Sequence, residues 1–340
     1  MAPKILICGL LYSGSSAILD ALSSHPEVKE VPGEFDDFRR DGMIGDLVEQ
    51  GSDSGTVMGL ARYVLFNGDP IMKLALLRDY HNADRLETMF WRFVGFLRLA
   101  ASIIKRPRSL AEIRRRKKRL RLLARLPINH FSPSSPLEAR IGAAREWMSD
   151  VTSVHGDSKR ALMLDQPLML GNHSSSWPEV FSPYKLIVVV RHPLDQITEL
   201  IEKGVIDFEF RSSITGSLPL IHGSDQSSKI MYAAKALEVR LEWVLSHLIK
   251  NDLEMQVIVF EDFILDFENQ MVELLKFLNL TWTGWASTSE GRFDPKVSEK
   301  NTGLNHKWLD LLPPGSLDSL MRTWGNVISQ IKATTGEDPR

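Results

Sequence analysis

Cysteine is almost absent from this chain of 340 residues: Cys8 stands alone. That excludes an internal disulfide and a cysteine-based structural zinc site, and it points to a reducing compartment. Long hydrophobic runs are missing too. The apolar start from Ile5 to Leu11 is short, is interrupted by Gly9 and has no cleavage site, so no secretory signal is read there. The most apolar later stretch, Met89 to Ile104, carries Arg92 and Arg98 and is too short to span a bilayer. The nine histidines are scattered without paired ligand spacing, so no metal site is expected. Internal repeats are lacking as well. These absences describe a soluble cytoplasmic protein.

Net charge is also nearly missing, at −2, but the balance conceals an asymmetry. Between Lys105 and Arg125 eleven Lys or Arg face a single acid, Glu112. A block of that kind says more about partners than the total does.

What is present is a globular composition, 43% hydrophobic and 25% charged, arranged as strands that alternate with helical stretches. Lys4 to Cys8 reads as a short buried strand, followed by a glycine-bearing turn and a helix from Ala17 that stops at His25-Pro26. A second buried strand runs from Lys185 to Val190, with five β-branched or Leu residues in a row of the kind parallel sheets use. It leads into Arg191-His192-Pro193 and a helix from Leu194 to Lys203. Met255 to Phe260 is a third strand, followed by a helix through Phe277, and Ala161 to Leu164 adds another. The pattern predicts one α/β domain over residues 1–340, with a central parallel sheet between helical layers. A large helical insertion occupies about 38–150, with helices over Asp84–Ile104 and Ser109–Leu126. Phe208 to Ser228, rich in Ser and Gly, reads as an irregular loop.

The first turn carries the clearest chemistry. Gly9 and Gly14, with four residues between them and followed by Ser15 and Ser16, let the backbone curl so that successive N–H groups point inward at a helix start. That geometry cradles phosphate. The spacing is that of a P-loop, yet Ser15 stands where an ATP-using P-loop places Lys. ATP γ-phosphate chemistry is therefore disfavoured.

This lysine-free turn, Gly-x-x-x-Ser-Gly-Ser-Ser with His25-Pro26-Glu27-Val28 at the helix end, resembles the sulfotransferases that use 3′-phosphoadenosine 5′-phosphosulfate (PAPS). Two further segments carry the same resemblance: Arg191-His192-Pro193-Leu194-Asp195 behind a strand, and Val257 to Phe263 with the acidic pair Glu261-Asp262. Pro32-Gly33-Glu34 is similar to the tyrosylprotein and bacterial carbohydrate-type branch, not the cytosolic aryl branch. The resemblance covers roughly 4–35, 160–203 and 255–310. It implies a three-layer P-loop fold and transfer of a sulfuryl group from PAPS to a hydroxyl of a small molecule, glycan or lipid. PAP is released and no metal is needed. Tyr12, Ser13, Gly14, Ser15 and Ser16 would face the 5′-phosphosulfate end, and Arg191 with Thr198 the 3′-phosphate. Lys300, Gly303 and Lys307 would lie on a loop closing over the nucleotide.

In those relatives the Glu matching Glu34 takes the acceptor proton, and partial burial would raise its pKa into the working range. The plain alternative is that Glu34 decorates a loop beside Asp36 and Asp37. Arg39 and Arg40 either orient an anionic acceptor or are solvated, and His173 either borders the acceptor pocket or is structural. Three positions depart from the family pattern. Tyr12 stands where a Lys or Arg is usual, Glu199 where a Ser shares the 3′-phosphate, and Asp165-Gln166-Pro167 where Lys-x-Pro is common. An anion beside a phosphate is repulsive at low dielectric. The departures keep two rivals open: a non-catalytic descendant that binds a partner, and a P-loop kinase. The basic stretch near 105–125 fits an anionic membrane surface, a polyanionic acceptor or a simple solvated helix. Nucleic acid is disfavoured, because no base-reading motif accompanies the charge.

Overall fold

The computed structural model describes residues 3–9, 12–39, 43–51, 122–123, 128–155, 160–168, 176–203, 226–281, 299, 302–304, 310 and 312–335. Among the expected features, the helix over 84–104, most of the basic stretch, Arg40, His173, Lys300 and Lys307 lie outside the described residues.

Five strands form one sheet in the order β2-β3-β1-β4-β5. They are β1 (Lys4–Gly9), β2 (Val28–Glu34), β3 (Ala161–Asp165), β4 (Tyr184–Val190) and β5 (Met255–Val259). β1 pairs with β4 in parallel, from Lys4 opposite Tyr184 to Gly9 opposite Val189. β4 pairs with β5 in parallel from Leu186 opposite Met255. The uninterrupted apolar runs explain the arrangement: Ile5 to Cys8 and Leu186 to Val190 are fully buried, as strands covered on both faces must be. The chain leaves β1 on one side, reaches β2, returns through β3 and then crosses β1 to build β4. β1 is thus where the winding reverses, and ligands of open α/β sheets bind beyond the carboxyl end of such a strand.

By internal contacts the chain divides into two compact units. The first comprises Met1–Val28, Met163–His173 and Pro183–Arg340. It contains α1 (Ser15–Ser23), α6 (Pro193–Glu202), α7 (Gln226–Lys250), α8 (Phe260–Leu265), α9 (Phe267–Phe277) and α10 (Asp318–Thr335). α7 packs on α10, fixed by the buried Glu238, which takes hydrogen bonds from Ser319 and Lys235. The second comprises Lys29–Leu162 and Ser174–Ser182, with α2 (Asp36–Arg39), α3 (Ile44–Gln50), α4 (Leu137–His155) and α5 (Trp177–Phe181). There Phe35 packs on Trp147 and Phe38 meets Phe181 edge-on.

Several boundaries differ from expectation. The helix after β4 opens at Pro193, whose missing N–H costs nothing at a first helical position. β5 ends at Val259 because Phe260 already opens α8, and the single helix expected through Phe277 breaks at Asp266 (φ −126°, ψ 50°). The loop read as far as Ser228 ends sooner, since α7 begins at Gln226. β2 was not anticipated. No strand lies within 38–150 among the described residues, and no helix among them is long and apolar enough to cross a membrane.

Within the second unit Arg140 is a buried cation that donates to three carbonyls: Val48 at 2.7 Å, Glu49 at 3.0 Å and Ser135 at 3.0 Å. It closes the last turn of α3 and the loop before α4. Arg140→Leu strands those acceptors and is expected to lower stability by about 3–5 kcal/mol. Urea denaturation followed by tryptophan fluorescence measures it.

Candidate functional site

The turn between β1 and α1 is built on two glycines. Gly14 sits in the left-handed region (φ 84°), and a Cβ there would collide with the Phe260 ring. A Cβ on Gly9 would run into the Ser13 and Ser15 hydroxyls, so both can lie this close to the backbone only because that atom is missing. Tyr12 is also left-handed (φ 52°), although a bulky side chain adopts that conformation only at a cost.

Gln166, directly after β3, fastens the turn. Its N–H donates to Ile7 O at 2.8 Å, its Oε1 accepts from Gly9 N–H at 3.0 Å, and its Nε2 donates to Ser15 Oγ at 2.7 Å. Ser15 therefore accepts from Gln166 and keeps its own proton for a neighbouring anion. Ser13 Oγ is buried with no hydrogen-bond partner among the described residues. Two serine hydroxyls, just before and at the start of a nine-residue helix, are neutral donors of the kind that can hold an anion. Ser16, on the same turn, is exposed.

Arg191, just past β4, is the cation beside this turn. It is only 2% exposed. Its Nη1 donates to Tyr12 O at 2.9 Å and also forms an ion pair with Glu199. Glu199 holds a second cation, Lys203, one turn along α6. The Lys203 ammonium in turn lies 5.2 Å from the centre of the Tyr12 ring, within cation–π range. The two departures expected to weaken the site, Tyr12 and Glu199, are thus parts of one closed cluster. Burial alone would push the Glu199 carboxyl up, but hydrogen bonds from Lys203 and Arg191 outweigh it and hold it below its ordinary value. Thr198, its neighbour on α6, is buried with Oγ1 unpartnered among the described residues.

Two more acids frame the segment 191–195. Glu261, after β5, accepts the His192 N–H at 3.0 Å. Desolvation raises its pKa, helped by Asp195 and opposed by the His192 hydrogen bond and the Arg191 charge. Asp195 accepts from Gly303 N–H at 2.9 Å and Leu304 N–H at 3.1 Å, which ties the expected nucleotide-closing segment to α6. Sequence reasoning placed Gly303 in the site but missed Asp195 and Gln166 as its fasteners. The positions of both inside the recognised segments were the signal that could have found them.

In the second unit, Glu34 ends β2. The partial burial expected for it is not found: its side chain is 55% exposed and is held by an ion pair from Arg39. Arg39, weighed as an acceptor-orienting residue, is mostly buried and engaged by Glu34. Among the described residues no group of three His, Cys, Asp or Glu could hold a metal ion.

Neither a family model nor a curated protein matches the sequence. Solved structures do. A sulfotransferase domain from the Synechococcus PCC 7002 olefin synthase is similar over 98% of this chain and 94% of its own, at 15% identity and TM-score 0.44. A sulfotransferase domain from the curacin biosynthetic pathway is similar over 96% and 98%, at 16% identity and TM-score 0.44. A sulfotransferase from Alicyclobacillus acidocaldarius is similar over 99% and 97%, at 13% identity and TM-score 0.42.

The two glutamates predict opposite pH behaviour. Glu199 titrates below its ordinary 4.5 in the fold, so its contribution is present above pH 4.5 and lost as pH falls through the depressed value. Glu199→Gln is therefore expected to lower the Tm at pH 7 and to converge with the native chain as pH falls through the depressed value. Glu261 titrates above 4.5, so its contribution is present in acid and lost as pH rises through the raised value. Glu261→Gln is expected to raise the Tm at pH 7 by a few degrees and by less at pH 4. Thermal melts across pH 3–8 check both signs.

Proposed function

We propose that this chain is a sulfotransferase that moves a sulfuryl group from an adenosine 5′-phosphosulfate donor, the class to which PAPS belongs, to a hydroxyl of a small molecule, glycan or lipid acceptor. One observation carries the reading. The lysine-free anion cradle of Gly9 to Ser16 and the buried Arg191 leave the carboxyl ends of paired strands, where the winding reverses, and are joined through Tyr12 O. Such a place binds anionic nucleotides, and hydroxyl and amide donors suit a phosphosulfate.

The fit is good at one end of the donor and poor at the other. Ser13 and Ser15 have hydroxyl hydrogens to give, and the missing Cβ of Gly9 lets both lie against the turn. At Arg191 the guanidinium already holds the carboxylate of Glu199, so no role is assigned there to a 3′-phosphate. When bound, the donor supplies a sulfur that bonds to the acceptor oxygen as its bond to the 5′-phosphate oxygen breaks. The turn amides with Ser13 and Ser15 take up the charge developing on that phosphate. Glu34 takes the acceptor proton, and Arg39 orients its carboxylate. The acceptor is defined only by its hydroxyl.

A second reading, a non-catalytic binding protein on the same architecture, is favoured by Tyr12 in place of a cation and by the Glu199–Arg191 pair. Adenosine 5′-phosphosulfate, 5′-AMP, 3′,5′-ADP and ATP with magnesium separate the alternatives by thermal shift. A ligand at a hundred times its Kd adds about 2.7 kcal/mol. Stabilisation by the sulfated nucleotide, the monophosphate or 3′,5′-ADP supports the enzyme, by ATP with magnesium a kinase, and by none of them the scaffold. With a competent acceptor in hand, Glu34→Gln is expected to lower kcat by about a hundredfold or more while nucleotide Kd stays within about twofold. Unchanged turnover removes Glu34 from the reaction.

A further inference from the structure

We infer that Glu199 makes the Arg191 pocket select a nucleotide by a free ribose hydroxyl and not by a second phosphate. The inference rests on the nucleotide-binding reading above and goes beyond it, because it assigns the ligand chemistry of a part of the site that the usual donor does not fit.

An incoming ligand does not meet Arg191 directly. The guanidinium is almost wholly buried, beneath contacts with Glu199 and the Tyr12 carbonyl. The parts open to solvent are the Glu199 side chain, 11% exposed, and the Lys203 side chain, 53% exposed. Glu199 gives one oxygen to Arg191 and the other to Lys203. Each carboxylate oxygen still has a lone pair to accept with. A group arriving here therefore meets an acceptor already neutralised by a buried cation, with an ammonium at the rim.

A hydroxyl suits that surface, since it can donate to Glu199 and accept from Lys203. A phosphate does not: its ionised oxygens are all acceptors, and its charge meets the Glu199 carboxylate inside a low-dielectric site. The positive charge left over belongs to Lys203, which is more than half exposed, so solvent and salt screen its attraction. Dinucleotide sites make the same choice with the same chemistry, an acidic residue for a ribose hydroxyl and an arginine for a ribose phosphate. Here both residues are present, and the acid occupies the arginine. Glu199 is not in this place by chance rotation, because two cations hold it and keep its carboxyl ionised at neutral pH.

The test compares 5′-AMP with 3′,5′-ADP by isothermal titration calorimetry on the native chain, on Glu199→Gln and on Glu199→Ser. The native chain is expected to bind 3′,5′-ADP with less than a tenfold advantage over 5′-AMP, where one extra productive arginine–phosphate contact is worth about tenfold or more. Each variant is expected to raise 3′,5′-ADP affinity about tenfold or more relative to 5′-AMP. A native preference for 3′,5′-ADP of about tenfold or greater overturns the inference and leaves the proposed function standing. An equal change for both nucleotides in folded variants also overturns it. Failure of the native chain to bind either nucleotide overturns the inference and the nucleotide-binding reading together. The native ratio needs no variant, so it decides the matter even where a substitution prevents folding.

Discussion

A single buried guanidinium holds the candidate site together. Arg191 lies beyond the end of β4, and three separate parts of the chain depend on it: the turn after β1 through Tyr12 O, helix α6 through Glu199, and the start of α8 through Phe260, whose ring lies 5.5 Å from the guanidinium carbon. Leaving such a cation unpaired in the interior is strongly unfavourable, so its partners are under constraint. This accounts for the left-handed Tyr12. Its strained backbone aims a carbonyl at Arg191, and its ring accepts the Lys203 ammonium from the other side. Phe260 serves twice, since the same ring that faces Arg191 fills the space where a side chain on Gly14 would be. Changes at any of these positions are felt by the others, and pairs among them should not be additive.

The cradle itself depends on a different distribution of charge. A P-loop that handles nucleoside triphosphates relies on a lysine; here that position is Ser15, and the fastening is done by Gln166, a neutral amide that uses its oxygen on Gly9 and its nitrogen on Ser15. The result is a turn rigidified without adding positive charge. The cations nearby, Arg191 and Lys203, are both committed to Glu199. Any anion the turn accepts must be held by oriented dipoles and hydroxyls, which favours a group of modest charge.

Much of this architecture can be read from residue order, and the unread part has physical causes. β1 and β4 are continuous apolar runs, and only a sheet covered on both faces buries such runs completely. β2 escaped notice because Pro32 and Gly33, both poor strand formers, stand near its end and mask its alternation. Tyr12 and Glu199 are legible as departures from the family pattern, but their membership of one cluster through Lys203 is not. The spacing of Glu199 and Lys203, four residues apart on a helix, is a pairing signal that was there to be read. The contact of Glu199 with Arg191 was not, because it depends on how α6 turns away from β4. The exposure of Glu34 follows from its place at the end of β2, where no periodicity speaks.

The motif Arg191 to Asp195 is best understood as a junction that serves the site from both sides. Arg191 reaches toward the turn, while Asp195, four residues on and inside the first turn of α6, reaches toward residues 303 and 304. Between them the His192 N–H is fixed by Glu261 and its ring packs edge-on against Trp324 of α10. Asp195 is buried and accepts two consecutive backbone N–H groups, a short nest that a carboxylate completes. An aspartate at the start of a helix is also favoured by the helix dipole, so the same charge serves two purposes. The five residues thus couple the cradle, helix α6 and the later segment through hydrogen bonds to main chain. Preorganisation of that kind is what a site acting by positioned donors requires.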